Sequence, residues 1–172
     1  TNASAGVHIA RQDSVPMILF VGQIARGIRE REAFQEVDYR AFYGSIAKWA
    51  VEIDEARRIP ELVGRAFSVA TSGRPGPVVV ALPEDMLTEE VDAPKPLPFT
   101  PVETRPGESE MAALAALLEK AERPFVILGG TRWGEDGVAR MREAVERWSL
   151  PVGCSFRRQM LFDHLHPNYA GD

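Results

Sequence analysis

Residues 71–86 read Thr-Ser-Gly-Arg-Pro-Gly-Pro-Val-Val-Val-Ala-Leu-Pro-Glu-Asp-Met. The glycines and prolines stop a helix and turn the backbone, and an apolar run begins at once. Residues 78–82 have no polar face, which predicts a strand covered on both sides, as in the parallel sheet of an α/β protein. Pro83 has no N–H to give to a ladder and is expected to end the strand. Arg74 stands at the tip of the turn, where a side chain can reach a ligand.

Upstream, Ala3, Val7 and Ala10 recur at helical spacing, and Asp13-Ser14 with Pro16 breaks the pattern. Residues 17–21 predict a short strand ended by Gly22, followed by a polar loop over 23–31 and a short helix over 33–42. Trp49, Val51 and Ile53 alternate with Ala50 and Glu52, which predicts a second strand. Pro60 suits the first turn of the next helix; Leu62, Val63, Ala66, Phe67 and Ala70 form its stripe, and Gly73 its cap. Strands separated by helices at this spacing predict a right-handed parallel sheet.

Residues 89–106 carry Pro94, Pro96, Pro98, Pro101 and Pro106 and little to bury, the composition of an extended, semi-stiff connector. Beyond it, Met111, Leu114, Leu117, Leu118 and Ala121 predict an amphipathic helix, and residues 125–128 a buried strand leading into Gly129-Gly130-Thr131. Val138, Met141, Val145 and Trp148 stripe another helix, with Asp136 as its cap, before a strand at 152–155. The expected fold class is therefore α/β: parallel-sheet βαβ units in two partial three-layer domains, 1–88 and 107–172, joined by a Pro-rich linker over 89–106.

A formal net charge of −5 gives no basic face, so nucleic acid is not an expected partner. No apolar run is long enough to span a bilayer, so no membrane partner is expected. The single cysteine, Cys154, reads as a buried small hydrophobe and fits a reducing, cytoplasmic compartment. Asp163, His164 and His166 lack further ligands at useful spacing, so no metal site is expected. Gly129-Gly130 after a strand suits either a phosphate or any tight strand-to-helix turn. The opening Thr-Asn-Ala-Ser-Ala-Gly reads like a helix already under way, as in a piece of a longer protein.

Six stretches, in order along the whole chain, resemble the thiamine-diphosphate-dependent enzymes, in particular the acetolactate-synthase-like group. They are Thr1-Asn-Ala-Ser-Ala-Gly6, Asp13-Ser-Val-Pro through Gly22-Gln23, Ala33-Phe-Gln-Glu36, Ser45-Ile-Ala-Lys48, Ala70-Thr-Ser-Gly-Arg-Pro-Gly-Pro-Val78 and His166-Pro-Asn-Tyr-Ala-Gly171. The resemblance implies that 1–88 is the latter part of a pyrimidine-binding domain and 107–172 the first part of a Rossmann-like central domain. It implies decarboxylation of a 2-oxo acid and transfer to an acceptor, in a homo-oligomer using thiamine diphosphate and Mg2+, with FAD in a structural role.

By the same resemblance Phe34 would wall the substrate channel, Gln35 would donate to the substrate, and Lys48 would sit at the channel or flavin edge. Arg74, Gly129 and Gly130 would meet the cofactor. The bland readings stand beside these: Phe34 as a core residue of its helix, Lys48 as a solvated strand end, Arg74 as a surface residue in a turn. No catalytic residue is expected in this piece. The family's glutamate would lie upstream of Thr1, and Gly134-Glu-Asp-Gly137 lacks the Asn-Asn of the family's diphosphate motif. Thr131 replaces the family's third glycine, and Ala25-Arg26-Gly27 its Pro-Arg-Arg, which leaves flavin and substrate open. The piece alone is expected to be inactive; the rival expectation is a stand-alone FAD- or ADP-binding or oligomerisation module.

Overall fold

The computed structural model describes residues 2–96 and 98–172, which divide into two compact units, Thr1–Val102 and Glu103–Asp172. In the first unit the order is α1 (Ser4–Gln12), β1 (Met17–Gln23), α2 (Tyr39–Tyr43), β2 (Trp49–Glu52), α3 (Ile59–Thr71) and β3 (Pro77–Pro83). The three strands form one parallel sheet in the order β1-β3-β2.

The apolar run takes the central place, with Val78, Val79, Val80 and Ala81 fully buried. Alternation along the strand splits them between two cores. Val78 and Val80 join Leu62, Ala66 and Ala70 of α3 with Val51, Ile53 and Met86 on one face. Val79 joins Val7 of α1 with Tyr43 and Ala47 on the other. Helices on both faces of a parallel sheet make three layers.

Pro83 ends β3 as expected: it is the strand's last residue, paired in register with Gln23, and the next N–H, that of Glu84, donates to the Gln23 carbonyl at 3.0 Å. Two expectations for this unit are corrected. Gly22 does not end β1, because it and Gln23 pair with Leu82 and Pro83. The helix expected over 33–42 is only α2, since Gln35 has a left-handed φ of 70° and Asp38 caps Tyr39–Tyr43 by accepting from the Ala41 N–H at 3.0 Å.

The second unit holds α4 (Glu108–Lys120), β4 (Val126–Leu128), α5 (Glu135–Trp148), β5 (Val152–Cys154) and β6 (Tyr169–Gly171), with a parallel sheet in the order β4-β5-β6. Its core is Leu128, Val145, Val152, Cys154, Leu161 and Phe162, with Val138 and Met141 of α5 packed on it. Here too the sequence misleads in places. The stripe of α4 is not buried: Met111, Leu114, Leu117 and Leu118 are all exposed, Leu117 at 69%. Strand β4 is covered on one face only, leaving Phe125 and Ile127 exposed, and Trp148 lies outside the core. Asp136 is not the cap of α5; Gly134 holds that position and Asp136 lies in the first turn. Among the described residues no helix is long and apolar enough to cross a membrane.

Candidate functional site

Because β1, β2 and β3 run parallel, Gln23, Glu52 and Pro83 end at one edge of the sheet. That edge is where open α/β sheets bind ligands. Gln23 anchors it. Its side chain is 7% exposed, yet every polar atom is used. Nε2 donates to the Val37 carbonyl at 2.8 Å and to Glu52 Oε2 at 3.2 Å, while Oε1 accepts from the Ile24 N–H at 2.9 Å. A buried amide left without these partners would carry its full desolvation cost.

Residues 24–38 form a loop pinned over this edge by two arginines. Arg26 grips Asp85 through its backbone N–H at 3.0 Å and Nε at 2.8 Å, reaches the Asp54 carbonyl at 2.5 Å and pairs with Glu89. The Arg26 hydrogen bonds hold the Asp85 carboxyl below the ordinary carboxylate range. Arg29 pairs with Glu52 and, at 2.6 Å, with Asp54. The loop closes on itself through Glu36, whose carboxylate accepts the N–H groups of Glu30 at 2.6 Å and Ala33 at 3.1 Å. Those bonds, Glu30 first, lower the Glu36 pKa.

Two clefts open beside the loop. One of about 400 Å³ is polar, lined by Arg29, Glu36, Asp38, Arg40, Glu52 and Asp54 among others. The second, about 470 Å³, is lined by Gly22, Gln23, Ile24, Gln35, Val37, Tyr39 and Glu84. Gln35 thus faces a groove at the strand ends. Its neighbour Phe34 is 88% exposed at the loop's tip, so it is not a core residue of this unit.

Lys48 and Arg74 lie at the opposite edge, where β2 and β3 begin. Lys48 Nζ donates to the carbonyls of Val69 at 2.5 Å and Ser72 at 2.6 Å, closing the end of α3. Its stem runs against Gly76, where a Cβ would come within 3.1 Å of Lys48 Cδ. Arg74 donates to Ser14 Oγ at 2.7 Å and to the carbonyls of Gln12 at 2.9 Å and Arg11 at 3.2 Å, closing the end of α1. A seven-residue strand spans roughly 20 Å, so no one groove of this unit takes in both Gln35 and Lys48.

In the second unit Gly129 and Gly130 follow β4. A Cβ on Gly129 would sit 2.7 Å from Ser155 Oγ, and Gly130 has φ 75°. Trp133 Nε1 donates to the Gly129 carbonyl at 2.8 Å and Arg158 Nε to that of Gly130 at 2.6 Å. The glycines are therefore explained by the turn's own packing. The next helix begins with Glu135 and Asp136 in its first turn, acids that oppose a phosphate there. Sequence reasoning missed Gln23 and Glu36 as site residues. Both lie inside the matched stretches, but their roles depend on partners 14 to 29 residues away or on a loop closure that no periodicity announces.

Residues 111–172 match the family model described as thiamine pyrophosphate enzyme, central domain. The chain is 33% identical to acetolactate synthase isozyme 3 large subunit of Escherichia coli, over 99% of the chain and 31% of that protein. It is 35% identical to glyoxylate carboligase of Escherichia coli O157:H7, over 88% of the chain and 26% of that protein. The fold matches the crystal structure of a Mycobacterium smegmatis protein assigned as a thiamin diphosphate-dependent enzyme, with a TM-score of 0.81, 26% identity, and 99% of this chain and 33% of that one covered. With its parallel-sheet units and matched central-domain segment, the chain belongs to the thiamine-diphosphate-dependent enzymes. It spans about a quarter to a third of the curated relatives' length. Within that family it is acetolactate-synthase-like.

Proposed function

We propose that this chain is the part of a thiamine-diphosphate-dependent 2-oxo acid carboligase that presents a substrate-side loop. The observation that carries this is the position of Gln35, beside Gln23, Tyr39 and Glu84 in a groove at the carboxyl edge of the parallel sheet. Gln35 offers an amide donor to a carbonyl or carboxylate oxygen, and Phe34 an apolar wall next to it. Burial first, then Tyr43 and Glu52, push the Tyr39 phenol up, so it remains an O–H donor at neutral pH. Arg26 and Arg29 are already paired with carboxylates, which leaves neutral donors to orient the acid.

Thiamine diphosphate, when bound, supplies the electron sink that lets a 2-oxo acid lose its carboxylate. This chain's contribution is to orient the acid and keep water from it. Among the described residues no group of three or more His, Cys, Asp or Glu is arranged to hold a metal. We therefore assign the cofactor's diphosphate and Mg2+ to parts of the enzyme outside this chain. FAD fits less well, because Glu135 and Asp136 in the first turn of α5 oppose a phosphate. Lys48 and Arg74 serve the fold's other edge, with any cofactor contact made from there. A homo-oligomer and a cytoplasmic location complete the proposal, the latter in keeping with a free, buried Cys154.

The test is turnover of pyruvate and of glyoxylate by the full-length enzyme carrying this chain, with thiamine diphosphate and Mg2+, against the 172-residue chain alone. Turnover by the former and none by the latter is expected. Turnover by the chain alone, or by neither, would refute the proposal.

A further inference from the structure

Three observations on the loop at the carboxyl edge belong together. Its tip exposes Phe34, a large apolar side chain with no cover in its own unit. Glu30, Glu32 and Gln35 all adopt left-handed φ, at 60°, 53° and 70°, a conformation that non-glycine residues enter only when something holds them there. The holder is one side chain. Glu36 sits immediately after Gln35, and its two carboxylate oxygens accept separate amides, Glu30 on Oε1 and Ala33 on Oε2. The backbone reinforces this with the Glu36 N–H donating to the Ala33 carbonyl at 3.0 Å.

The loop's two ends are fixed independently of Glu36. Arg26 and Arg29 tie its start to Asp85, Asp54 and Glu52, and Gln23 ties its end to Val37. What those anchors leave undetermined is the path of residues 30–36 between them. An exposed loop with neither core packing nor a regular ladder has little else to define that path.

Resting on the carboligase reading above, we propose that Glu36 is a positioning residue: it closes the loop over 30–36 and so holds Phe34 and Gln35 at the groove where the 2-oxo acid binds. Glu36 touches no substrate in this scheme. It acts by fixing the backbone that carries the two residues that do, so its removal raises the cost of ordering them on binding. The lowered pKa of Glu36 agrees, since amide donors stabilise the ionised carboxylate.

The experiment compares wild type, Glu36→Ala and Glu36→Gln in the full-length enzyme carrying this chain. Steady-state kinetics on pyruvate and glyoxylate is read beside amide hydrogen exchange of peptides covering residues 27–38 and β3. Glu36→Ala is expected to speed exchange in the loop, leave β3 protected and raise KM by about tenfold, the equivalent of one charge-assisted hydrogen bond, with kcat changed by less than about threefold. Glu36→Gln keeps one acceptor and is expected to fall between. If the loop loosens and KM does not move, or if the loop stays protected, the positioning role is overturned. Should Glu36→Ala cost β3 its protection, Glu36→Gln carries the comparison. Wild-type enzyme that turns over neither acid sinks the carboligase reading itself, an outcome visible before any variant is made.

Discussion

Gln23 is the side chain on which the carboxyl edge most depends, and Gln23→Met tests that dependence. Methionine keeps the volume but offers no donor to Val37 or Glu52 and no good acceptor to Ile24. The structure shows three hydrogen bonds lost in a residue 7% exposed. Each buried partner left unsatisfied costs about 1–3 kcal/mol, but the Glu52 bond is long at 3.2 Å and Glu52 keeps Arg29. Counting the Val37 carbonyl and the Ile24 amide fully gives a loss of about 2–6 kcal/mol in the first unit. The assay is native-state hydrogen exchange of β3 amides, which reports opening of this unit. Slowest-exchanging amides of β3 should exchange about 30-fold to 20,000-fold faster, the same free energy expressed as a rate ratio. Amides of the second unit, which has its own core, serve as the internal reference. A change of less than about threefold in β3 would refute the claim that this amide holds the edge together.

Other expectations are simpler to check. Lys48→Met removes the cation from the end of α3 while keeping the stem against Gly76, and should lower the urea stability of the first unit by about 1–2 kcal/mol. Gly129→Ala should destabilise the second unit, and Ser155→Gly in the same chain should recover most of the loss, because the conflict is with the Ser155 side chain. Asp85 has a lowered pKa in the folded chain, so its contribution is present above the ordinary carboxylate value of about 4 and fades as pH falls through the lower folded value. Amide exchange in residues 24–30 should accelerate over that acid range, and Asp85→Asn should remove this component. Burial pushes the Cys154 thiol up, so alkylation by iodoacetamide at pH 7.5 should be negligible until the second unit opens.

The parallel sheet could be read from residues 78–82 because only a central strand buries Val78, Val79 and Val80 on two faces at once. The crossover helix α3 followed from Leu62, Ala66 and Ala70 and from Pro60 and Gly73, although Phe67 of the expected stripe is exposed at 45%. Where the chain follows side-chain to backbone bonds instead of periodicity, the sequence said less. Ala33 to Gln35 look helical by composition, but the Glu36 carboxylate captures amides that a helix would need. Apolar spacing also marked α4 and Trp148 as buried, and spacing reports which face is apolar without reporting what covers it. For the site, the matched stretch 33–36 drew attention to Phe34 and Gln35, and the geometry sets Gln35 at the groove. The same kind of match grouped Lys48 with them, although Lys48 is committed to the far end of α3. Linear order could not separate the two edges, because that separation depends on which end of each strand a residue flanks.

The contact between Arg74 and Ser14 has a bearing on strand alignment. Met17 pairs with Pro77, an offset of 60 positions, and Ser14 and Arg74 stand at the same offset, three places before the ladder starts. The guanidinium therefore acts as an extra rung that admits one alignment of β1 on β3. A shift by a single place would turn the valines of the central strand toward the wrong layers. An arginine at the mouth of a glycine–proline turn can thus serve as a ratchet stop, letting two neighbouring strands zip in only one phase.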